Sequence, residues 1–389
     1  MKNVCLLGAT GSIGSQVIDL VEEFKDEYNL TAIAFGKNID KALDILSKHQ
    51  DVKMISCEKE EDIKTLKKLY PNIKYFSGID GLIKVSTYPC ENPVVVNSLV
   101  GSVGLVPTLE AIKNNRDVYL ANKETLVIGG KIVMDLAKKY HVNIIPIDSE
   151  HSAIKQLLDY RNKDEVNKLI ITASGGAFRD KTKEELKKVT KEDALKHPNW
   201  QMGNKITIDC ATMMNKGFEL MEAHYLFDIP LEKIVPIIHK ESIIHSFVEF
   251  NDGSIYAQMA SSDMHLPIWY ALNGPKHEKS NNIKKLDLFS INTMHLEKVD
   301  DDKYPMLGYM KYAYNKGDIY PTILNAANEA SVRLFLEDKI SFLDIEKIVK
   351  KALDYKPYEV YNNKDFNVDL ILEVDNIVKN DVITGKFLR

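Results

Sequence analysis

Short apolar runs alternate with amphipathic segments along the first third of the chain. The run "NVCLLG" at residues 3–8 is followed by residues 14–24, in which Val, Leu and Phe recur at helical spacing. A second apolar run, "LTAIAFG", covers residues 30–36, and further runs alternate with helical patterns up to about residue 148. Buried strands separated by helices are typical of a parallel sheet that is covered on both faces. The pattern therefore predicts a doubly wound α/β domain over residues 1–148.

The pattern changes beyond residue 149. Strand-like runs at residues 168–174 and 254–261 lie on either side of a charged stretch that ends in "KHPNWQMGNK". These features predict a central α+β domain over residues 149–274. Residues 275–302 are polar and poorly periodic, which predicts a linker. Helical spacing then returns, so residues 303–389 are expected to form a small helical domain.

Composition restricts the classes of ligand and compartment. The chain has 389 residues and a formal net charge of −5, so no global charge attracts nucleic acid or an anionic membrane. The N-terminal sequence lacks the features of a secretory signal, and no apolar run approaches the ~18 residues of a spanning helix. We therefore expect a cytoplasmic protein; a plastid-type location stays open if a transit peptide has been removed.

The cysteines do not form a recognisable motif. Cys5, Cys57, Cys90 and Cys210 are far apart in sequence, without a CxxC pair or a Cys/His cluster. Neither a zinc site nor a disulfide framework is expected from this spacing.

The first turn of the chain has the pattern of a dinucleotide site. Gly8, Gly11 and Gly14 of "GATGSIG" follow the first predicted strand and open the first predicted helix. Small residues let the backbone approach a pyrophosphate, which the N–H groups of the helix N-terminus can bind. The sequence predicts a Rossmann-like nucleotide site here; the alternative is a merely tight turn.

The end of the second strand indicates which dinucleotide binds. An acidic residue at this position would bind the ribose 2′-hydroxyl of NAD, but the sequence here is "AFGKN", residues 34–38. Lys37 is placed to meet a 2′-phosphate instead, which favours NADPH. The alternative is that Lys37 is an ordinary loop lysine.

Two carboxylates follow the strand that ends near Ile147. In an extended chain Asp148 and Glu150 project in the same direction, at a strand end where ligands bind in such sheets. An oxygen-only pair suits Mg²⁺ or Mn²⁺ better than zinc. The alternative is that Asp148 or Ser149 caps the next helix, and spacing alone does not separate the two interpretations.

A third carboxylate occurs in "NKGFE". If a helix begins there, Asn215, Lys216 and Glu219 share one face. Asn and Lys at a helix N-terminus can hold a phosphate, and Glu219 can turn toward a metal beside it. The alternative is a solvated helix start.

These residues resemble the 1-deoxy-D-xylulose 5-phosphate reductoisomerase family, and the resemblance extends over essentially the whole chain. It implies rearrangement and NADPH-dependent reduction of 1-deoxy-D-xylulose 5-phosphate to 2-C-methyl-D-erythritol 4-phosphate, in the non-mevalonate isoprenoid pathway, with Mg²⁺ or Mn²⁺. It also implies a homodimer that acts on a small sugar phosphate, without a nucleic-acid or membrane partner. The matching motifs are "GATGSIG" (8–14), "ANKE" (121–124), "DSEHSAI" (148–154), "SGGAF" (174–178), "HPNWQMG" (197–203), "ATMMNKGFE" (211–219) and "IIHSFVEFNDGS" (243–254).

The resemblance implies a role for each matching residue. The residues implied in cofactor binding are Thr10, Gly11, Ser12, Ile13, Gly36, Lys37, Asn38, Asn122, Glu124 and Gly203. The residues implied in substrate binding are Lys123, Ser149, Glu150, Ser174, His197, Cys210, Asn215, Lys216 and Glu219. The implied metal ligands are Asp148, Glu150 and Glu219. The resemblance implies that these three residues, together with Lys123 and His197, are catalytic residues. Trp200 and Met202 lie in what resembles the family's mobile flap.

The most prominent departure from the family's pattern is at an expected phosphate-binding position. Cys210 stands where a phosphate-binding serine is expected, and a thiol is a weaker hydrogen-bond donor than a hydroxyl. Two other functions stay open at this point. In a semialdehyde dehydrogenase, Cys210 would be the nucleophile that forms a thioester; in an inactive NADPH-binding sensor, the cofactor would bind without turnover.

Overall fold

The structure is a computed structural model in which residues 1–388 are described, and contacts divide the chain into two compact units. The first unit contains residues 1–125, 131–152 and 263–284. The second contains residues 126–130, 153–262 and the chain from Lys285 onward. Each unit has its own sheet. A parallel sheet with helices, a second sheet and a helical C-terminal region confirm the predicted fold class.

The first unit is built on a seven-stranded parallel sheet with the order β4-β3-β2-β1-β5-β6-β7. The strand order reverses between β1 and β5, and ligands of doubly wound sheets bind beside such a reversal. The first predicted turn therefore lies at the favoured position. The strands are β1 (Lys2–Leu7), β2 (Tyr28–Phe35), β3 (Met54–Cys57), β4 (Lys74–Ser77), β5 (Pro93–Asn97), β6 (Asp117–Leu120) and β7 (Ile144–Pro146).

Helices connect these strands, as the 3.6-residue periodicity predicted. Their bounds are α1 (Ser12–Glu23), α2 (Ile39–Lys48), α3 (Glu60–Leu69), α4 (Gly78–Ser86), α5 (Leu105–Lys113), α6 (Glu124–Tyr140) and α7 (Ser149–Leu158). In α1, Val17, Leu20 and Val21 are buried, because helical spacing brings them to one face.

A late segment of the chain packs into the first unit. Trp269, in a helix that spans His265–Asn273, stacks on Phe24 with ring centroids 3.9 Å apart. The carbonyl of Leu272 accepts hydrogen bonds from Lys2 Nζ at 2.7 Å and Tyr28 Oη at 2.9 Å. Contacts thus group residues 263–284 with the first unit, whereas the sequence assigned residues up to 274 to a central domain. The functional domain boundaries stay a prediction.

The second unit has a four-stranded sheet with the order β11-β10-β8-β9. Its strands are β8 (Val166–Ala173), β9 (Ile234–Ile238), β10 (Ile244–Phe250) and β11 (Ile255–Met259). Strand β8 pairs antiparallel with β10 and parallel with β9. The remaining helices are α8 (Lys191–Ala194), α9 (Asn204–Thr212), α10 (Met214–Phe227), α11 (the first-unit helix His265–Asn273), α12 (Pro305–Lys316), α13 (Tyr320–Leu336), α14 (Phe342–Leu353) and α15 (Val368–Ile383).

Polar contacts inside the second unit join α9 to α13. Asn328 Nδ2 donates to Asp209 Oδ1 at 2.8 Å, and Lys205 Nζ lies 2.9 Å from Asp209 Oδ2. Asp209 is buried, so both partners offset the loss of its hydration. This network holds α9, the helix that contains Cys210 and precedes Glu219.

The hydrophobic pattern missed some strands. Strands β4, β9 and β10 were not predicted. Strand β4 is only half-buried, β9 contains Pro236, and β10 was identified only as part of the motif "IIHSFVEFNDGS". Among the described residues, none of the helices combines the length and hydropathy that crossing a bilayer requires.

Gly14→Ala tests the close packing of the first turn. A Cβ at position 14 would lie 2.2 Å from the carbonyl oxygen of Gly8, a backbone atom that cannot move aside cheaply. We expect the substitution to lower the free energy of unfolding by about 1–3 kcal/mol. Urea unfolding, followed by circular dichroism, measures this change in the free energy of unfolding.

Gly308→Ala is the matched control for this prediction. Gly308 is exposed within α12, and a Cβ there meets nothing within 4 Å. The free energy of unfolding of the Gly308 variant should stay unchanged or rise by up to about 1 kcal/mol, because alanine favours the helical conformation. Equal stability of the two variants would contradict the packing argument.

Candidate active site

The glycine-rich turn of the first unit leaves a helix N-terminus open to an anion. Gly11 is the N-cap of α1 and makes no side-chain capping hydrogen bond to the first turn. The N–H groups of Gly8 and Ala9 donate to the carbonyl of Ala34 at 2.9 and 2.8 Å, which ties the turn to β2. The predicted cofactor residues Thr10, Gly11, Ser12 and Ile13 surround this N-terminus, so its donors and partial positive charge can face a pyrophosphate.

The loop after β2 carries the predicted 2′-phosphate residues. Asn38 caps α2 by accepting a hydrogen bond from the N–H of Lys41 at 3.0 Å. Lys37 follows Gly36 and is 70% exposed, with its Nζ 3.6 Å from the similarly accessible Glu58. Such a surface pair contributes little to stability, so Lys37 can exchange Glu58 for a phosphate. The sequence did not indicate Glu58, because it follows a different strand.

Asn122 organises the predicted "ANKE" segment. Its Nδ2 donates to the carbonyls of Leu99 and Gly101 and to Glu124 Oε2, each at 3.0 Å. Asn122 and Glu124 are both buried. Asn122 therefore joins the loop after β5 to the start of α6, and Lys123 between them is held in place.

A buried ion pair joins the ends of β6 and β7. Lys123 Nζ lies 2.7 Å from Asp148 Oδ2, and the two side chains are 7% and 11% exposed. Burial by itself raises the pKa of Asp148, but the charges of Lys123 and His151 outweigh it and hold the pKa well below its usual range. Asp148 is therefore an ionised carboxylate at neutral pH.

The geometry of the "DSE" segment differs from the extended chain that we predicted. Strand β7 ends at Pro146 and α7 begins at Ser149, because Asp148 Oδ1 accepts a hydrogen bond from the N–H of Glu150 at 3.3 Å. Asp148 thus serves as a helix cap, the alternative that spacing left open. Capping does not exclude a metal role, because it uses one lone pair of one oxygen of Asp148. Ser149 Oγ donates to Glu150 Oε2 at 2.5 Å.

His151 is a buried neighbour that the sequence analysis did not select. It is 0% exposed, and its Nδ1 lies 3.9 Å from Asp148 Oδ1. The signal was present, because residues three apart share a face once a helix starts at Ser149.

The third carboxylate lies on α10 of the second unit, as its spacing predicted. Asn215 Nδ2 donates to Glu219 Oε1 at 2.5 Å, and Lys216 forms a short ion pair with Glu219 Oε2. Met213 joins α9 to α10 with a φ of +64°, a left-handed conformation that is rare for a side chain of this size. Met213 and Met214 are buried, so Asn215, Lys216 and Glu219 are positioned by a tightly packed helix start.

Ser174 and His197 form a second polar pair in this unit. His197 Nδ1 accepts the N–H of Trp200 at 3.0 Å, which places the ring proton on Nε2, and Nε2 lies 2.9 Å from Ser174 Oγ. Burial lowers the pKa of His197 to about 4, with a further contribution from Arg179. Arg179, which also donates to the carbonyl of Ser174 at 3.2 Å, lies five residues after Ser174 and was missed because the matching motif ends at Phe178.

The loop after Ser174 lies against the end of α9. A Cβ on Gly176, whose φ is +70°, would meet the Cys210 carbonyl oxygen at 2.6 Å. Only glycine therefore permits this approach. Cys210 lies half-buried in the last turn of α9, so its environment includes the Ser174 loop.

The predicted flap follows His197. The Trp200 ring lies 6.1 Å from the ring of His245, a buried residue whose pKa burial lowers to about 4. Met202 is half-buried, and Gly203 is exposed as the N-cap of α9. The sequence placed His245 in a motif but not in the site, because the residues that pack around a histidine on a strand cannot be predicted from the adjacent sequence.

The structure brings the predicted residues together in two sets. The first unit contains the glycine turn, Gly36 to Asn38, Asn122 to Glu124, and Asp148 to Glu150. The second contains Ser174, the 197–203 segment, Cys210 and the α10 residues. Gly203 is thus the one predicted cofactor residue that belongs to the second unit.

Family models and curated relatives match nearly the whole chain. The model of 1-deoxy-D-xylulose 5-phosphate reductoisomerase matches residues 4–130, and two models of that enzyme's C-terminal domains match residues 144–227 and 259–381. The 1-deoxy-D-xylulose 5-phosphate reductoisomerase 2 of Bacillus anthracis is 46% identical over 388 residues, covering 100% of this chain and 99% of the relative. The reductoisomerase of Bacillus subtilis (strain 168) is 51% identical over 355 residues, covering 91% and 92%.

Solved structures agree with this relationship. A crystal structure of DOX-P reductoisomerase in complex with NADPH, fosmidomycin and magnesium has a TM-score of 0.93 at 35% identity, covering 100% of this chain and 98% of that one. The 1-deoxy-D-xylulose 5-phosphate reductoisomerase from Zymomonas mobilis, in complex with NADPH, has a TM-score of 0.87 at 36% identity, with 98% of each chain covered.

The lowered pKa of His245 predicts how stability depends on pH. Between pH 6.5, the ordinary value, and about 4, the unfolded chain takes up a proton at His245 that the folded chain does not. The free energy of unfolding should therefore fall over this range by about 1.4 kcal/mol per pH unit for this one group. We expect His245→Gln to remove this part of the slope in urea titrations.

His277→Gln is the control, since His277 is exposed. The free energy of unfolding of the His277 variant should depend on pH with the same slope as that of the unmodified protein. An unchanged slope in the His245 variant would mean that this ring is not kept neutral by burial.

Proposed function

The chain belongs to the 1-deoxy-D-xylulose 5-phosphate reductoisomerase family, and from this premise we propose which side chains carry the reaction. The protein is an NADPH- and divalent-metal-dependent oxidoreductase of the non-mevalonate isoprenoid pathway. It converts 1-deoxy-D-xylulose 5-phosphate to 2-C-methyl-D-erythritol 4-phosphate. The relatives support this function rather than a semialdehyde dehydrogenase or an inactive sensor.

The observation that carries the proposal is the ionised Asp148 beside Glu150. Lys123 at 2.7 Å keeps Asp148 charged despite its burial. Oxygen-only donors match Mg²⁺ or Mn²⁺, so we assign Asp148, Glu150 and Glu219 as the ligands. A bound divalent ion supplies a Lewis acid for the ketone and hydroxyl oxygens of the substrate.

The substrate phosphate is assigned to polar groups of the second unit. Ser174, Asn215 and Lys216 supply a hydroxyl, an amide and an ammonium group, and Cys210 adds a weaker donor. Ser174 Oγ already accepts from the N–H of Gly176 at 3.2 Å and faces His197 Nε2, so its own proton is available to a phosphate oxygen. Binding energy at this unreactive end can stabilise closure around the reacting carbons.

His197 and Trp200 are assigned to positioning and water exclusion. Because the ring of His197 is neutral at physiological pH, Nε2–H donates a hydrogen bond without adding a charge. The backbone N–H groups of Asn199 and Trp200 hold its Nδ1 at 3.2 and 3.0 Å, so the ring orientation follows the flap. We assign Trp200, with Met202, to cover the substrate and exclude water.

The cofactor is assigned to the open end of α1 and the Lys37 loop. NADPH supplies the hydride for the reduction. Thr10 to Ile13 would bind its pyrophosphate, Gly36 to Asn38 its 2′-phosphate, and Asn122, Glu124 and Gly203 its remaining contacts. The lack of an acidic residue within the β2 loop supports a 2′-phosphate over a free hydroxyl.

Three further assignments follow from the resemblance, from composition and from the pattern of apolar positions. They are a homodimer, a cytoplasmic location, and domains at 1–148, 149–274 and 303–389 with a linker at 275–302. Light scattering of the purified protein tests the dimer, and limited proteolysis tests the linker.

Glu150→Gln tests the metal assignment. We expect NADPH consumption with substrate and Mg²⁺ to fall about 100-fold or more, since loss of a ligand should exceed the 10–100-fold effect of outer-shell partners. A chelator should abolish the activity of the unmodified protein. Mn²⁺ binding measured by electron paramagnetic resonance should weaken in parallel.

Glu165→Gln, a change at an exposed glutamate, is the control and should keep both activity and Mn²⁺ affinity. Full activity in the Glu150 variant would rule out its role as a ligand. Absence of turnover in the unmodified protein would count against the function itself.

Cys210→Ser separates phosphate binding from nucleophilic catalysis. A hydroxyl donates more strongly than a thiol, so we expect an unchanged or lower KM for the substrate and retained turnover. Steady-state kinetics with NADPH measure both. Complete loss of activity would instead support a nucleophilic thiol.

A further inference from the structure

The backbone carbonyl of Lys240 accepts hydrogen bonds from two side chains that belong to different segments of the second unit. Lys240 lies in the turn between β9 and β10. Arg179 Nη1 donates to its carbonyl oxygen at 2.7 Å, and Asn199 Nδ2 donates to the same oxygen at 2.5 Å. A carbonyl oxygen has two lone pairs, so both bonds can form together. One backbone group thus holds the loop after β8 and the predicted flap.

These two bonds complete a ring around the Ser174–His197 pair. Arg179 Nη1 also donates to the carbonyl of Ser174 at 3.2 Å, and the N–H of Asn199 donates to His197 Nδ1 at 3.2 Å. On the other side of the ring, Ser174 Oγ and His197 Nε2 lie 2.9 Å apart. The pair is therefore connected to Lys240 through Arg179 at one end and through Asn199 at the other.

The turn that contains Lys240 is itself held in place. The N–H of Ser242 donates to the carbonyl of His239 at 3.2 Å, and Ser242 has a φ of +54°, a conformation that serine rarely adopts. Lys240 Nζ lies 3.0 Å from Glu297, which pairs with Ile238 through two backbone hydrogen bonds of 2.9 Å. A strained turn that is fixed by a neighbouring segment is typical of a functional site. It can serve as a fixed support for the loops bound to it.

The side chain of Asn199 makes a second bond to this turn. Its Nδ2 donates to Ser242 Oγ at 2.7 Å as well as to the carbonyl of Lys240. An amide nitrogen has two protons, and these two acceptors account for both of them. Asn199 is half-buried, so water competes only partly for these bonds. The geometry therefore favours a role in holding the flap over a direct contact with the substrate.

We propose that Asn199 is a positioning residue for the substrate-phosphate site and acts through the carbonyl of Lys240. It holds the flap against the same turn to which Arg179 binds the Ser174 loop, so that the Ser174–His197 pair is assembled before the substrate binds. A preassembled pair lowers the cost of ordering these groups around the phosphate. This inference rests on the proposed assignment of Ser174 to the substrate phosphate.

Steady-state NADPH consumption with 1-deoxy-D-xylulose 5-phosphate and Mg²⁺ tests this role in Asn199→Asp and Asn199→Ala. Aspartate keeps the size of the side chain, but as a carboxylate it cannot donate to a carbonyl. Both variants should raise the KM for the substrate about tenfold, as expected for two lost hydrogen bonds. The kcat should change by less than about threefold, because the groups at the reacting carbons stay in place.

Asn376→Ala, a change at an exposed position of α15, is the matched control and should leave both constants unchanged. An unchanged KM in the Asn199 variants would overturn the proposal. A lower kcat at unchanged KM would also overturn it, because that result would place Asn199 in the chemical step.

A double-mutant cycle tests whether the two side chains act through one carbonyl. Arg179→Met should also raise the KM for the substrate. When Arg179→Met and Asn199→Ala are combined, the rise should be clearly smaller than the product of the two single effects, because either change opens the same ring. A rise equal to that product would refute the shared support.

Acrylamide quenching of tryptophan fluorescence tests the flap without any turnover. The chain has two tryptophans, and Trp269 is 2% exposed, so the quenching reports chiefly on Trp200. We expect Asn199→Ala to raise the quenching constant about twofold without substrate, because the flap opens locally more often, and Asn376→Ala to leave it unchanged. Equal constants in the two variants would contradict the proposal. This readout needs no reaction, so it separates a failure of this inference from a failure of the proposed function.

Discussion

The buried ion pair between Lys123 and Asp148 is the constraint on which the first unit's half of the active site depends. Removing either charge from water is costly, and the 2.7 Å contact between the two groups offsets a large part of that penalty. Loss of one partner from such a pair typically destabilises by about 3–5 kcal/mol. The pair links the ends of β6 and β7, and Asp148 in turn caps α7. Glu150 and His151 are positioned as a consequence.

The second unit maintains its charges by the same means. Glu219 and Lys216 are 1% and 3% exposed and form an ion pair, and Asn215 also donates a hydrogen bond to Glu219. An apolar set of the same volume would often be as stable, so stability alone does not account for these charges. The left-handed Met213 is a further local cost at the same helix start. Buried charge and backbone strain together are typical of a site organised for binding rather than for stability.

Local spacing predicted the parts of the site that lie within one element or turn. The glycine turn needed only a strand before it and a helix after it, and Asn215, Lys216 and Glu219 needed only helical periodicity. The "DSE" segment shows where local reasoning stopped. Its residue types indicated an oxygen-ligand site, but strand and helix geometries were both compatible with the spacing. Asp148 resolved this by capping α7, because Lys123 and the end of β7 place it there.

Contacts between distant positions could not be predicted in this way. Glu58 beside Lys37 and Arg116 beside Cys5 each join segments whose separation carries no periodic signal. The stacking of Trp269 on Phe24 also joins two segments that are far apart in the sequence. The sequence by itself determined the fold class, the nucleotide turn and the chemical types of the site residues, because these depend on short-range periodicity and side-chain chemistry. Tertiary structure alone decided which charges are buried and which partners hold them ionised or neutral, because burial and proximity arise only when distant segments pack.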